Sequence, residues 1–401
     1  MVQSIKTRAM ARNTFIFTVW FLFLVANVYA TSAAPFRPTD DSIVLARLPV
    51  SGDRSLRLLR ERWKADPGNA DTAVALARRY MRLERAEGDP RYLGYAQAVL
   101  RPWWTDKKAD ASIAVTRAQL LARRHAFDRA LADLDGVLMA RPHHPQALLS
   151  RAFILQSQGK FKEAHASCQK LQRRVRSLLS ATCLARMESL SGKSGRADRR
   201  LTHALSRYPS NNPAVRLWAL TNLAEIAWRR GSLSRAEGLF REALSLDRRD
   251  AYLRDAYADL LLDLKRPAEV LRLFENDARA DGHLLRLALA ARALNDTKAA
   301  QHIKNLASRF AGNRRRGEAL HLREEARFEL SLRHRPARAL ELALENWRTQ
   351  REPADARLVL ETALAAGQPE ISRAVLAWLH RTGLEDHSLA VLVAKIKEAV
   401  G

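Results

Sequence analysis

A short pattern of a polar turn, a bulky apolar residue and an alanine recurs through the middle of this chain. Clear copies occupy residues 125–130, 159–164 and 231–236, and each ends in alanine. The interval from Ala130 to Ala164 is 34 residues, and such a period is typical of arrays of helix–turn–helix repeats. The sequence therefore predicts a stack of helical hairpins rather than an irregular bundle with chance alanines. The predicted series of small residues comprises Ala130, Ala164, Ala197, Ala236, Val270, Ala300, Ala339 and Ala374.

Within each copy, the spacing of small, bulky and proline residues resembles the tetratricopeptide repeat family. The best copy has Ala224, Ala236, Phe240 and Ala243 where that family has small, small, bulky and small residues. Small residues let the two helices of a hairpin approach closely, and a proline such as Pro142 cannot continue a helix. The resemblance implies an all-α fold, a right-handed superhelical solenoid of antiparallel helix pairs. The abundance of leucine, alanine and arginine, without strand-like alternation, agrees with an all-α chain.

The repeat register divides the chain into six parts. A helix that starts near His387 would cover the last apolar face, as terminal repeats require. We expect a signal peptide or N-terminal anchor at 1–30, a linker at 31–53, a degenerate N-terminal helical repeat at 54–110, core repeats at 111–280, further degenerate repeats at 281–383 and a C-terminal capping helix at 384–401.

The N-terminus has the pattern of an export signal. Lys6, Arg8 and Arg12 supply positive charge before an apolar run at 15–26, which has the length of a signal peptide rather than of a membrane span. We expect cleavage after Ala30, with cleavage after Ala33 or Ala34, or an uncleaved N-terminal anchor, as the alternatives. All these interpretations place the repeats outside the cytoplasm, in a bacterial periplasm.

The two cysteines, Cys168 and Cys183, fall on neighbouring helices in the repeat register. The turn near Arg176 lies about midway between them, so the thiols would lie level across two antiparallel helices. An oxidising compartment would permit a disulfide between them. The alternative is that both cysteines are small buried apolar residues.

The chain carries a formal net charge of +25. Inside a cell such a charge would suggest a nucleic-acid partner. An exported protein rarely meets nucleic acid, and no binding motif for it is present, so we expect none. Lipid headgroups, acidic polysaccharides and acidic proteins are anionic partners that an exported basic protein could meet. Arginines spread through every repeat are equally explained as solvated helix faces.

In the family that the chain resembles, the first helix of each pair lines a concave groove. Three aspartates at the groove positions, Asp255, Asp259 and Asp263, follow one another at intervals of four residues and so share one helix face. We expect Arg229 to pair with Asp263. The resemblance implies a groove for an extended peptide or helix with basic groups. An internal ladder of ion pairs with structural tryptophans is the alternative. The groove positions hold Trp218, Glu225, Trp228, Arg229, Tyr252, Asp255, Asp259 and Asp263.

Nothing in the sequence indicates catalysis. The chain has no glycine-rich phosphate loop, no Gly-x-Ser-x-Gly elbow and no His-Glu-x-x-His pair. His143 and His144 lie in a turn without other ligands nearby, so we expect no metal site there. No cofactor and no small-molecule substrate are expected. The sequence predicts a non-catalytic scaffold that binds a protein or peptide partner, with binding of an anionic membrane surface or acidic glycan as the alternative.

Overall fold

A computed structural model describes residues 54–87, 89–209, 211–275, 277–315 and 321–400. The predicted signal peptide and linker, residues 1–30 and 31–53, lie outside the described residues. Two short 3₁₀ turns, Arg101–Trp103 and Pro369–Ser372, interrupt an otherwise α-helical fold. The helices of the described part are α1 (Arg54–Ala65), α2 (Ala70–Glu87), α3 (Arg91–Val99), α4 (Ala111–Arg123), α5 (Phe127–Ala140), α6 (Pro145–Ser157), α7 (Phe161–Arg174), α8 (Leu178–Ser189), α9 (Ser194–Arg207), α10 (Pro213–Arg229), α11 (Leu233–Leu246), α12 (Ala251–Asp263), α13 (Pro267–Leu273), α14 (Asp281–Ala293), α15 (Ala299–Arg315), α16 (Leu322–Ser331), α17 (Pro336–Thr349), α18 (Pro353–Ala365), α19 (Arg373–Thr382) and α20 (His387–Val400).

Consecutive helices form pairs, from α2–α3 to α18–α19. From α4–α5 onward, the turn inside each pair contains one residue in the left-handed region of backbone space. Glycine adopts this conformation readily, whereas other residues accept a cost of about 1–2 kcal/mol. The same point of each repeat is therefore marked by backbone geometry as well as by sequence. These left-handed residues are His125, Gly159, Gly192, Gly231, Lys265, Asn295, His334 and Gly367.

Most of the predicted small residues lie at the contact between the helices of a pair. Ala300 and Ala374 are exceptions, because both are exposed and the buried positions belong to Ala299 and Ser372. α15 begins at Ala299, and a 3₁₀ turn precedes α19, so the register shifts in both pairs. The predicted residues whose side chains are fully buried are Ala130, Ala164, Ala197, Ala236, Val270 and Ala339.

A disulfide joins Cys168 of α7 to Cys183 of α8, with Cα atoms 5.6 Å apart. Both residues are fully buried, next to Leu171 and Leu184 in one apolar cluster. Because α7 ends one pair and α8 begins the next, the bond links two successive repeats.

The last helices pack back onto earlier pairs. One apolar cluster contains Leu155 and Leu184 of α6 and α8 together with Trp347, Trp378 and Leu389 of α17, α19 and α20. α20 begins at His387, as predicted, and packs against α18. The C-terminal pairs therefore share a core with repeats that precede them by about two hundred residues.

Candidate functional site

The predicted groove residues lie on α10 and α12, the first helices of two neighbouring pairs. At the start of α10, the Asn212 side chain accepts a hydrogen bond from the Ala214 amide at 3.1 Å. At the start of α12, the Asp250 carboxylate accepts one from the Leu253 amide at 2.9 Å. Such caps fix where a helix begins, and so which of its residues share the predicted face.

The carboxylates of α12 pair with arginines of later helices. Asp259 accepts hydrogen bonds from Arg286 of α14 at 2.5 Å and from Arg327 of α16 at 2.6 Å. Asp263 accepts two from Arg357 of α18, both at 2.9 Å. These contacts form the internal ladder that the sequence left open as an alternative to a partner-binding groove.

The predicted pair of Arg229 with Asp263 is wrong. Arg229 lies 4.0 Å from Glu225 on its own helix and donates to the Ser189 hydroxyl of α8 at 2.8 Å. Burial lowers the pKa of Arg229, and Glu225 opposes that effect. The Arg229 side chain thus extends towards α8, while Arg357 occupies the carboxylate of Asp263.

Two aspartates one turn apart on α12 differ in protonation. Burial raises the pKa of Asp255 to about 7, because Arg286, at 3.4 Å, compensates only in part. Burial also acts on Asp259, but Arg286 and Arg327 outweigh it and hold the Asp259 pKa below its usual value. Near neutral pH, Asp259 is therefore ionised and Asp255 is partly protonated.

A second polar cluster surrounds Glu225 on α10. Its carboxylate accepts hydrogen bonds from Arg186 of α8 at 2.9 Å and from the Tyr252 hydroxyl of α12. Arg186 also donates to Gln156 of α6 at 2.6 Å, and Gln156 donates to Glu352 at 3.1 Å. A continuous path of polar contacts therefore connects α12 with the residue that precedes α18.

Arg323 of α16 continues this path. It donates to Glu352 at 2.9 Å and to the two oxygens of Asp355 at 2.5 and 2.9 Å. Asn346 of α17 donates to Asp355 at 2.7 Å. The Asp355 side chain is 0% exposed, and a buried charge of this kind is tolerated only with a close partner. These groups thus hold the last pairs in one arrangement.

The two predicted tryptophans pack into apolar clusters. Trp218 lies edge-on to Phe153 with ring centroids 5.6 Å apart, and Trp228 packs on the cluster around α10 to α14. Sequence reasoning missed Trp378, which lies 5.6 Å from Phe161 of α7 and packs against α17 as well. No local pattern marks it, because its neighbours are distant in sequence.

The turn at Gly159 shows how closely the last pairs approach α6. Its φ is 71°, and a Cβ there would lie 2.7 Å from Nε1 of Trp378 and 2.8 Å from Cβ of Arg351. The backbone N–H of Arg351 donates to the Ser157 carbonyl at 2.7 Å. Glycine satisfies both the backbone conformation and the close contact.

The eight predicted groove residues therefore lie in neighbouring positions on α10 and α12, but most of their contacts are with other helices of the same chain. Tyr252 is the most exposed of them, at 46%, although its hydroxyl donates to Glu225 of α10. The C-terminal pairs supply the arginines that a basic partner was expected to bring. Sequence reasoning identified the carboxylates and missed Arg327 and Arg357, because neither lies near them along the chain.

A different group of charges lies on the second helices α7 and α9 and the turns beside them. All nine members are exposed, and none has a carboxylate within ion-pair distance among the described residues. A count of charges over residues 160–207 would have found this group. We call it the basic face, and it consists of Lys160, Lys162, Lys170, Arg173, Arg174, Arg176, Lys193, Arg199 and Arg207.

Other site types are poorly represented in the part of the chain that the structure describes. No group of three or more His, Cys, Asp or Glu side chains there is placed to hold a metal ion. His144 instead accepts a hydrogen bond from the Ala147 amide at 3.3 Å and caps α6. None of these helices combines the length and apolar character needed to cross a membrane. A shallow depression of about 680 Å³ is lined by Arg292, Asn295, Asp296, Lys304, Leu332 and Arg333, among others.

Neither a protein-family model nor a curated protein matches this chain. Solved structures do match, among them a tetratricopeptide repeat protein from Parabacteroides merdae, at 16% identity over 71% of this chain and 98% of that one, with a TM-score of 0.37. Human IFIT1, solved as a dimer with PPP-AAAA, matches at 14% identity over 82% and 85%, with a TM-score of 0.48. Yeast Tom70 matches at 12% identity over 86% and 84%, with a TM-score of 0.40. The similarity is distant, and the helical-repeat fold of this chain rests on the helix pairs described above.

Proposed function

We propose that this chain is a non-catalytic, exported helical-repeat scaffold whose protein partner docks on the second helices of the stack. The observation that carries this proposal is the occupation of Asp259 and Asp263 by Arg327 and Arg357 of the chain's own last pairs. A partner that used these carboxylates would have to displace both arginines. Docking on exposed second helices requires no such rearrangement.

Export is supported by two independent features. The first is the N-terminal pattern of positive charge, apolar run and small residues that ends at Ala30. The second is the disulfide between Cys168 and Cys183, since disulfides persist in oxidising compartments such as the periplasm. An uncleaved N-terminal anchor would hold the same scaffold beside the inner membrane.

A scaffold without catalysis is supported by how the buried charges are used. The buried ionised groups of α8, α10, α16 and α18 contact each other, as in the pairs of Arg186 with Glu225 and Arg323 with Asp355. The pKa of Asp255 is displaced by burial within this structural arrangement. A stack of repeats offers an extended surface for another protein.

The proposal is tested by site-specific photo-crosslinking in intact cells. Met139 on α5 is 85% exposed on a second helix, and Tyr252 on α12 is 46% exposed on a first helix. We also choose Gln169, an exposed residue of α7. A photoreactive amino acid at Met139 or Gln169 should give a discrete protein adduct, and one at Tyr252 should not. Adducts confined to Tyr252 would show that the partner reaches the first helices and would overturn the proposed docking on the second helices.

Binding of an anionic membrane surface or an acidic glycan is a second candidate function. The observation that favours it is the basic face, whose charges have no carboxylate partner among the described residues. Such binding should weaken steeply as salt rises. Sedimentation with anionic vesicles, or retention on an acidic polysaccharide, at low and high salt measures it directly.

A further inference from the structure

The cations of the basic face form no ion pair with a carboxylate of the described residues. Neighbouring arginines do form ion pairs, since Arg200 lies 2.8 Å from Glu188 and Arg235 lies 2.6 Å from Asp198. The nine cations of the basic face have no such contact with a described carboxylate. Over residues 160–207, Glu163 is the only exposed acidic residue. The exposed surface of these two adjacent repeats therefore carries a local excess of positive charge.

Some of these cations lie where they oppose helix formation. Lys160 is the N-cap residue of α7, Lys162 lies in the first turn of that helix, and Lys193 is the N-cap residue of α9. The N-terminal end of a helix carries partial positive charge and favours anions there, by about 0.3–1 kcal/mol for an exposed group. Helix stability would favour acidic or neutral residues at these three positions, whereas Arg173, Arg174 and Arg207 lie in last turns, where a cation is favourable.

The surface beneath these cations is held firmly. The disulfide fixes α7 to α8, and α8 forms the first helix of the pair that α9 completes. Cys168 points inward into the apolar cluster, whereas Lys170, Arg173 and Arg174 of the same helix are exposed. A partner would thus meet a preorganised array of charges, which lowers the entropic cost of binding.

We propose that the basic face binds an acidic segment of a protein partner, an inference that rests on the proposed docking to the second helices. Five of its nine cations are arginines, whose planar guanidinium donates two parallel hydrogen bonds to one carboxylate. Within 160–207, Val175 is the single exposed large apolar residue among those described, at 39%. The face thus lacks the aromatic and apolar side chains with which proteins enter a bilayer surface.

The experiment measures binding of a fluorescent poly-glutamate peptide to the purified, disulfide-bonded chain by anisotropy. One variant removes four charges of the basic face, and a matched control removes four exposed charges elsewhere. We expect the dissociation constant to rise about tenfold or more in the face variant and by less than about twofold in the control. Equal losses in the two variants would overturn the proposal, because binding would then follow net charge alone. The face variant is K170Q/R173Q/R174Q/R199Q, and the control is R129Q/R248Q/R249Q/R272Q.

Two further ligands distinguish a protein partner from the other anions. Vesicles of phosphatidylglycerol and phosphatidylcholine, and an alginate oligosaccharide, are titrated against the same variants. Binding of either that depends on the face, without comparable binding of poly-glutamate, would reassign the face and overturn the acidic-segment proposal. A third variant, R173K/R174K/R199K, keeps the charge and tests the guanidinium fork, and we expect it to weaken binding about twofold or more. Circular dichroism checks that each variant is folded.

The outcome is separable from that of the proposed function. If poly-glutamate fails to bind while crosslinks from Met139 are still observed, docking on the second helices stands, and only the role of the basic face in binding an acidic segment is excluded. If crosslinks form from Tyr252 alone, the proposed docking on the second helices is itself wrong.

Discussion

Arginine has opposite roles in two regions of this molecule. On the face of α12, Arg327 and Arg357 arrive from the last pairs and neutralise carboxylates. On α7 and α9, Arg173 and Arg199 project into solvent without a described carboxylate partner. The comparison shows that the cations behind the net charge of +25 do not all have the same role. Charges that hold repeats together are balanced, and charges on the basic face are not.

The largest expected effect comes from removing the ring that joins the last pairs to α7. Trp378→Ala should lower the free energy of unfolding by about 4 kcal/mol, because the ring is only 3% exposed and packs on Phe161 and Trp347. Chemical denaturation measures the loss, and hydrogen exchange should speed up in α6 and α7. Tyr95→Ala, at a ring that is 44% exposed, is the control. A loss no larger than that of Tyr95→Ala would contradict the shared core.

Removing one arginine from the balanced region should cost somewhat less. Arg323→Ala leaves Asp355, with a side chain 0% exposed, and Glu352 without their cation. Leaving such a charge uncompensated should cost about 3 kcal/mol, and urea denaturation measures the loss. Arg199→Ala on the basic face should change stability by less than about 0.5 kcal/mol. Similar losses of unfolding free energy in both variants would contradict the different roles of paired and unpaired arginines.

Opening the disulfide should loosen the basic face more than the face of α12. The double substitution Cys168→Ser and Cys183→Ser opens a loop with a sequence separation of 15, and we expect a loss of about 2–3 kcal/mol. Thermal melts with and without reductant measure it. Hydrogen exchange should increase in α7 and α8 before it does in α12. A uniform increase over all repeats would instead indicate that the disulfide has no local role.

Protonation of Asp255 should give the smallest effect. Its folded pKa of about 7 lies above that of an unfolded aspartate, about 3.9. Its contribution to stability is therefore complete below about pH 4 and is lost as pH rises through 7. Because a quarter of the side chain is exposed and Arg286 lies 3.4 Å from the carboxylate, we expect a difference of only about 1 kcal/mol. Stability curves of the wild type and Asp255→Asn should diverge over that range, and parallel curves would show that Asp255 titrates normally.

The repeat register was predictable because it depends only on the spacing of small residues within one repeat. A small residue must stand where two helices of a pair touch, so Ala130 and Ala236 identify their turns without knowledge of the rest of the chain. The same register placed Cys168 and Cys183 on neighbouring helices but left open whether they form a disulfide, which the structure shows. Ala300 and Ala374 were misplaced because the register assumes a constant start for the second helix, and α15 and α19 start differently.

The candidate site was predictable only in part. The aspartates of α12 were identified, since their spacing places them on one helix face. Their partners were not, because Arg327 and Arg357 lie 68 and 94 residues further along the chain. Which arginine reaches which carboxylate depends on how the last pairs return to the earlier ones, and small differences in packing between successive pairs accumulate along the stack.

The sequence by itself determined that this protein is a series of helix pairs, where most of the pairs turn, and which helix faces carry charge. Those properties follow from residue size, proline and helical periodicity, which act over one repeat. Only the tertiary structure decided that arginines of the C-terminal pairs contact Asp259 and Asp263, and that the cations of the basic face have no described carboxylate partner. Both facts depend on contacts between distant repeats, whose energies are set by three-dimensional packing rather than by local spacing.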